Sequence, residues 1–217
     1  MSALRDEGRE DRGAIAIRWW DSGREPLAAA LAHPTRICVE RGVGPARASR
    51  AIAEAVDDES DRLVLLLTTT VAYNLLVGRS FCDALWARVK IPPPLRERVE
   101  TVLQEAVVNA TIHGNLAVGP LPRSDLASVA RLEELLDRQL RDPVLRERSV
   151  LLEARWAPGS LTLRVADEGA GFDYQSRLLR DPAPGTIGGR GLQIIAMMTD
   201  RLSFAEDGRS VSMEFRL

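Results

Sequence analysis

The order of apolar segments and turns in the C-terminal third of the chain constrains the fold more than any other sequence feature. Short alternating segments predict two strands, a helix and two further strands, in the order Leu151–Trp156, Leu161–Ala166, Gly191–Thr199, Arg201–Ala205 and Ser210–Leu217. Pro158-Gly159 joins the first two strands, and Asp207-Gly208 is typical of a β-hairpin turn. Hairpins combined with a helix predict a mixed α+β architecture.

A long amphipathic helix is predicted upstream, over Leu95–His113, with its apolar residues along one stripe. Glu105, Asn109 and His113 are spaced four residues apart and therefore share another face. A carboxylate, an amide and an imidazole on one face suit a general base and an oxygen-ligated cation. The spacing alone does not establish such a site.

Two glycine-containing motifs follow. Asp167-Glu168-Gly169-Ala170-Gly171-Phe172 comes directly after a predicted strand. A carboxylate in this position can accept a hydrogen bond from an exocyclic amine, and the glycines let the backbone approach a flat ring. Gly188-Gly189-Arg190-Gly191-Leu192 opens a predicted helix, whose free N–H groups and positive dipole end suit a phosphate. The alternatives are a tight turn for the first motif and a flexible loop with a helix cap for the second.

Composition excludes several function classes. The 29 basic residues against 31 acidic ones give a net charge of -2, which argues against direct nucleic-acid binding. The only lysine, Lys90, lies outside any glycine-rich loop, so a P-loop nucleotide site is excluded. Cys38 and Cys82 are isolated in apolar segments and are interpreted as small buried side chains rather than a disulfide or a metal site.

Taken in order, the helix motif Glu105…Asn109 and the two glycine motifs resemble the N box and glycine boxes of the GHKL, or Bergerat-fold, ATPase superfamily. The stretches 105–114 and 167–173 are most similar to the histidine-kinase-like ATPase domains of the anti-sigma-factor serine kinase branch. The resemblance implies a two-layer α/β sandwich, with a mixed sheet covered by helices on one face. It covers residues 77–217, with a helical insertion at about 118–148.

The resemblance implies a role for each matching residue. Glu105 would be the catalytic base, and Asn109 would ligate Mg²⁺ bridging the phosphates of ATP. The remaining nucleotide-binding residues would be His113, Asp167, Gly169, Gly171, Phe172, Gly189, Arg190, Gly191, Leu192 and Ser210. Ser210 stands where the family has a threonine that supports the adenine-binding aspartate, and residues 173–188 correspond to a mobile ATP lid.

Residues 1–76 lie outside the resemblance. Their alternation of strands and helices predicts a small α/β segment of unknown role, compatible with a truncated flavodoxin-like unit. The insertion 118–148 is interpreted as a solvated helix packed on its own domain, with a partner-docking surface as the alternative.

The function that the resemblance implies is a serine/threonine kinase that phosphorylates an antagonist protein and binds a sigma factor or a similar regulator. The alternatives are the ATP-binding module of a histidine phosphorelay and a nucleotide-gated binding module without turnover.

Met1–Arg12 lacks the apolar stretch of a signal peptide, and the apolar runs fall short of the ~20 residues that span a bilayer. We therefore expect a cytoplasmic protein with protein partners and no membrane contact, and a homodimer is compatible with the sequence.

Overall fold

One mixed sheet of seven strands runs through the computed structural model, which describes residues 15–56, 60–119, 126–178 and 190–217. The strand order across the sheet is β1-β2-β3-β4-β5-β7-β6. The strands are β1 (Ile17–Trp20), β2 (Ile37–Glu40), β3 (Asp61–Thr68), β4 (Ser149–Ala157), β5 (Ser160–Ala166), β6 (Arg201–Ala205) and β7 (Ser210–Arg216). The C-terminal hairpin predicted from the sequence is confirmed, because β6 pairs antiparallel with β7.

The N-terminal strands belong to this same sheet. β1, β2 and β3 are parallel to one another, and β3 then pairs antiparallel with β4 along its whole length, from Asp61 opposite Trp156 to Thr68 opposite Ser149. The α/β segment predicted at the N-terminus therefore extends the sheet of the ATPase-like region.

Helices connect the strands: α1 (Leu27–Ala30), α2 (Pro45–Val56), α3 (Thr69–Asn74), α4 (Val77–Trp86), α5 (Pro93–Val108), α6 (Leu126–Arg141), α7 (Pro143–Arg146), α8 (Tyr174–Leu178) and α9 (Gly191–Met198). α5 begins with prolines in its first turn, where the missing N–H costs no hydrogen bond. The sequence analysis did not predict α3. The Thr68 hydroxyl caps it by accepting from the N–H of Val71, which ends the preceding strand.

The main hydrophobic core lies between the sheet and helices α1, α3, α4, α5 and α9 on one face. This arrangement confirms the predicted α+β class. α2 packs on the opposite face, over Val39, Val64 and Leu66, because alternate residues of β2 and β3 point to opposite sides. The resemblance implied helices on one face of the sheet, and the packing of α2 on the other face is a departure from that expectation.

A buried ion pair lies on the α2 face of the sheet. The side chains of Arg62 and Glu153 are 2% and 5% exposed, and an Nη of Arg62 lies 3.3 Å from Oε1 of Glu153. Arg155 completes the contact with a bidentate pair to the same carboxylate at 2.7 and 3.1 Å. Removing one member of such a buried pair is costly because the attraction between the two charges is lost while the other charge stays buried.

The insertion packs on its own domain through a narrow apolar stripe. Leu136 of α6 is buried against Leu116 and Val118, and most of the remaining α6 surface is exposed. No helix in the described part of the chain is long and apolar enough to cross a membrane. Cys38 and Cys82 are buried free thiols, as predicted, and burial raises the pKa of each to about 12.

Candidate functional site

The helix that carries Glu105 changes its winding at Asn109. α5 ends at Val108, and Asn109–Asn115 continues it as a π-helical segment. Bonds of the i→i+5 type widen this turn, and π segments occur frequently at functional sites. The α-helical spacing on which the position of His113 was predicted therefore does not apply beyond Asn109. His113 is exposed, and its Nδ1 lies 2.5 Å from the carbonyl oxygen of Val118.

The first turn of α9 lies directly against Glu105 and Asn109. A Cβ at Gly191 would be 2.5 Å from Oε2 of Glu105 and 3.4 Å from Nδ2 of Asn109. Only a glycine allows this approach without moving the carboxylate. The structure thus brings together the predicted base, the predicted metal ligand and the second glycine motif, which are about eighty residues apart in the chain.

Asp167 is the buried carboxylate of the site. It is 8% exposed, and burial raises its pKa from 3.8 to about 6, although the N–H of Gly169 and the charges of Arg209 and Arg148 act in the opposite direction. The N–H of Gly169 donates to its Oδ1 at 2.7 Å. A Cβ at Gly169 would be 2.3 Å from the carbonyl oxygen of Gly114, so the loop and the end of the π segment are in close contact.

The rest of the first glycine motif is fixed against the hairpin turn. Gly171 has a φ of 75°, in the left-handed region that favours glycine. The next N–H, of Phe172, donates to the carbonyl of Asp207 at 2.9 Å. Phe172 is half-exposed and packs edge-on against Tyr174 and Phe204. A surface cleft of about 480 Å³ lies over this loop.

Asn115 supports the candidate site, and the sequence analysis did not single it out. It is fully buried, and its Nδ2 donates to the hydroxyl of Thr69 and the carbonyl of Ser149 at 2.9 and 3.0 Å. Its Oδ1 accepts from the N–H of Glu168 at 2.7 Å. One amide therefore fixes α3, β4 and the Asp167 loop relative to the π segment. The adjacent Gly114, whose missing Cβ allows the close approach of Asp167, is the sequence feature that could have drawn attention to Asn115.

The other predicted residues are placed as follows. Arg190 is exposed at the N-cap of α9, and Leu192 is half-buried in its first turn. Gly189 and residues 179–188 of the predicted lid lie outside the described residues. Ser210 accepts from Nε of Arg164 at 3.0 Å, on the sheet face that α2 covers. Because Asp167 faces the other side, toward Gly114, the structure does not bring Ser210 to the aspartate that it was predicted to support.

Comparison with protein families agrees with this geometry. The histidine kinase-like ATPase domain matches residues 70–215. The chain belongs to the histidine kinase-like ATPase family. No curated protein is significantly similar to it. Membership of this family implies ATP binding.

The described part of the ATPase domain fits an adenine nucleotide. Asp167 is a desolvated acceptor, and the missing Cβ atoms of Gly114 and Gly169 let the backbone lie close to its carboxylate. Asn109 and Glu105 offer oxygens beside the N-terminus of α9, and Mg²⁺ in nucleotide sites is typically held by one or two protein oxygens and the phosphates. The donor set present therefore fits Mg·ATP.

Proposed function

We propose that the chain is a Mg·ATP-dependent serine/threonine protein kinase of the anti-sigma-factor type, which phosphorylates an antagonist protein and binds a sigma factor or a similar regulator. The contact of Gly191 with Glu105 and Asn109 is the observation that carries this proposal. It puts a carboxylate beside the helix N-terminus at which phosphates bind. A carboxylate in that position can act on a hydroxyl that approaches the terminal phosphate.

Each residue then has one task. Asp167 accepts from the adenine amino group, and the N-terminus of α9 with Arg190 binds phosphate oxygens. Asn109 contributes an oxygen to Mg²⁺, which when bound would neutralise phosphate charge. Glu105 takes the proton of the attacking serine hydroxyl. Phosphoryl transfer needs mainly positioning and charge stabilisation, so this small set of groups suffices.

The two alternative functions differ in where phosphate goes. In the phosphorelay alternative it goes to a histidine. His33 lies exposed in the short connection between α1 and β2, outside any long dimerisation helix, which favours the serine kinase. In the binding-module alternative nucleotide binds and no phosphate is transferred.

The experiment is transfer of labelled phosphate from Mg·ATP to candidate antagonist proteins. Wild-type protein is expected to label a serine or threonine, and Glu105→Gln is expected to bind ATP normally but to lose transfer by at least ~100-fold, the scale of a general base. Glu97→Gln is the matched control, because Glu97 lies exposed two turns earlier on the same helix. Its transfer rate should equal that of wild type.

Three results would contradict the proposal. Full transfer by Glu105→Gln would remove its assigned role. Acid-labile label on a histidine would favour the phosphorelay module. ATP binding with no label on any protein offered would favour the binding module.

A further inference from the structure

A second cleft lies on the sheet face opposite Asp167. It has a volume of about 400 Å³ and lies between α2 and strands β3 to β5. Its floor is apolar, formed by Leu66, Leu151 and Ala166 of the core under α2. Its charged lining residues are Arg47, Arg50, Glu54, Arg164, Glu206 and Arg209. We call it the arginine cleft.

The lining charges do not balance. Among the described lining residues, four guanidinium groups stand against two carboxylates, and two carboxylates beyond the lining, Glu168 and Glu153, lie 3.1 Å from Arg47 and 3.9 Å from Arg164. Arginine cannot lose its charge by titration, so the four positive charges persist at every accessible pH. Like charges held around one cavity repel, and an anionic ligand between them would relieve that repulsion.

The existing contacts compensate these arginines unequally. Arg164 lies 3.1 Å from a carboxylate oxygen of Glu206 and 3.9 Å from one each of Glu54 and Glu153, whereas Arg50 and Arg209 have weaker contacts. Arg50 is 71% exposed and pairs with Glu54 at 3.5 Å, a surface contact of small energetic value. The Nε of Arg209 donates to the backbone carbonyl of Glu206 at 2.9 Å, and a neutral carbonyl leaves the charge of Arg209 in place.

The size and chemistry of the cleft define the ligand. A volume of about 400 Å³ is within the range of small-molecule sites, and a planar guanidinium binds carboxylate or phosphate in bidentate geometry. We propose that the arginine cleft binds a small dianion, a phosphate monoester or a dicarboxylate, at a site separate from the nucleotide site.

The arginine cleft contacts the loop that begins at Asp167 through two of its arginines. Nε of Arg47 lies 3.1 Å from Oε1 of Glu168, the residue after Asp167. The carbonyl of Arg209 accepts from the N–H of Asp167 at 2.9 Å. A dianion that draws Arg47 away from Glu168 alters the support of Asp167, so the two sites are linked and each ligand changes the affinity of the other by the same factor.

Calorimetric titration of the full chain at low salt tests the binding site. Glycerol 3-phosphate and succinate are titrated separately, and saturable binding of either at one per chain is expected, the better ligand identifying the source of the dianion. Arg50→Gln should weaken binding about tenfold, and its exposure makes it a safe variant for folding. Arg131→Gln, on the exposed face of α6, removes the same charge outside the cleft and should leave the affinity unchanged.

The proposal is overturned if neither dianion binds saturably to wild type, if the two variants lose affinity equally, or if excess ATP displaces the dianion completely.

The linkage is tested by measuring ATP affinity with and without saturating dianion. A change of about fivefold is expected in wild type and a smaller one in Glu168→Gln, which keeps only the connection through the carbonyl of Arg209. Equal ATP affinities in wild type would overturn the linkage, whereas no ATP binding at all would be a failure of the nucleotide site instead.

Discussion

Replacing Asp167 by asparagine is expected to stabilise the ligand-free protein at neutral pH. The pKa of Asp167 is raised from 3.8 to about 6 by burial, so the folded state binds its proton more tightly than the unfolded state does. Stability is therefore highest when the carboxyl is protonated, and it falls as pH rises from about 4 to about 6. A shift of about two units corresponds to about 3 kcal/mol at 1.36 kcal/mol per unit.

Asp167→Asn removes this loss and keeps an oxygen that can accept from the N–H of Gly169. The variant is expected to exceed wild type by up to about 3 kcal/mol in free energy of unfolding at pH 7.5, with the difference closing toward pH 4. Urea unfolding of ligand-free protein across this pH range measures it. Saturating ATP should reverse the order, because it stabilises wild type by about 4 kcal/mol at a thousand times its Kd and has little affinity for the variant.

Asp200→Asn is the control, because its expected effect on the free energy of unfolding has the opposite sign. The backbone N–H of Arg216 donates to Asp200 and lowers the pKa of that carboxyl. Its contribution to stability is present above the ordinary carboxyl pKa and is lost as pH falls, so Asp200→Asn should be less stable than wild type at pH 7.5. The account of Asp167 is refuted if Asp167→Asn is no more stable than wild type at pH 7.5, or if its advantage persists unchanged at pH 4.

Further substitutions test the packing of the site and of the sheet. Gly169→Ala would put a Cβ 2.3 Å from the carbonyl oxygen of Gly114, a rigid backbone atom, and should destabilise the fold by about 2 kcal/mol or more in urea unfolding. Gly191→Ala instead meets the movable carboxylate of Glu105, so stability should change little while phosphoryl transfer falls at least tenfold in the labelling assay. Glu153→Gln should cost about 3 kcal/mol because it removes a carboxylate charge that contacts a 2% exposed guanidinium, and a loss under 1 kcal/mol would contradict this expectation.

Local patterns predicted the elements of this fold well. β4, β5 and α9 lie where the apolar segments of the C-terminal third predict them, and the antiparallel hairpin of β6 and β7 follows from its turn residues. Short motifs also pointed to Glu105 and to the loop after Asp167, and the roles assigned to them stay predictions.

Long-range pairing and backbone detail could not be predicted in this way. The register of β3 with β4 joins Asp61 to Trp156, and neither strand carries a local signal for a partner so distant in the chain. The π winding after Asn109 has no local sequence signal, and it changes the residue spacing from which the position of His113 was predicted. Ser210 was misplaced for a related reason: alternation along β7 determines which face its side chain occupies.

The central claim is that this chain binds ATP and that the amino group of the adenine ring donates a hydrogen bond to the carboxylate of Asp167. The most direct measurement is calorimetric titration of wild type and Asp167→Asn with Mg·ATP and Mg·GTP. Wild type should bind ATP at one per chain and GTP at least about 100-fold more weakly, because guanine offers an acceptor where Asp167 needs a donor. Asp167→Asn should lose most of its affinity for ATP. Equal binding of the two nucleotides by wild type, or undiminished ATP binding by Asp167→Asn, would contradict the claim.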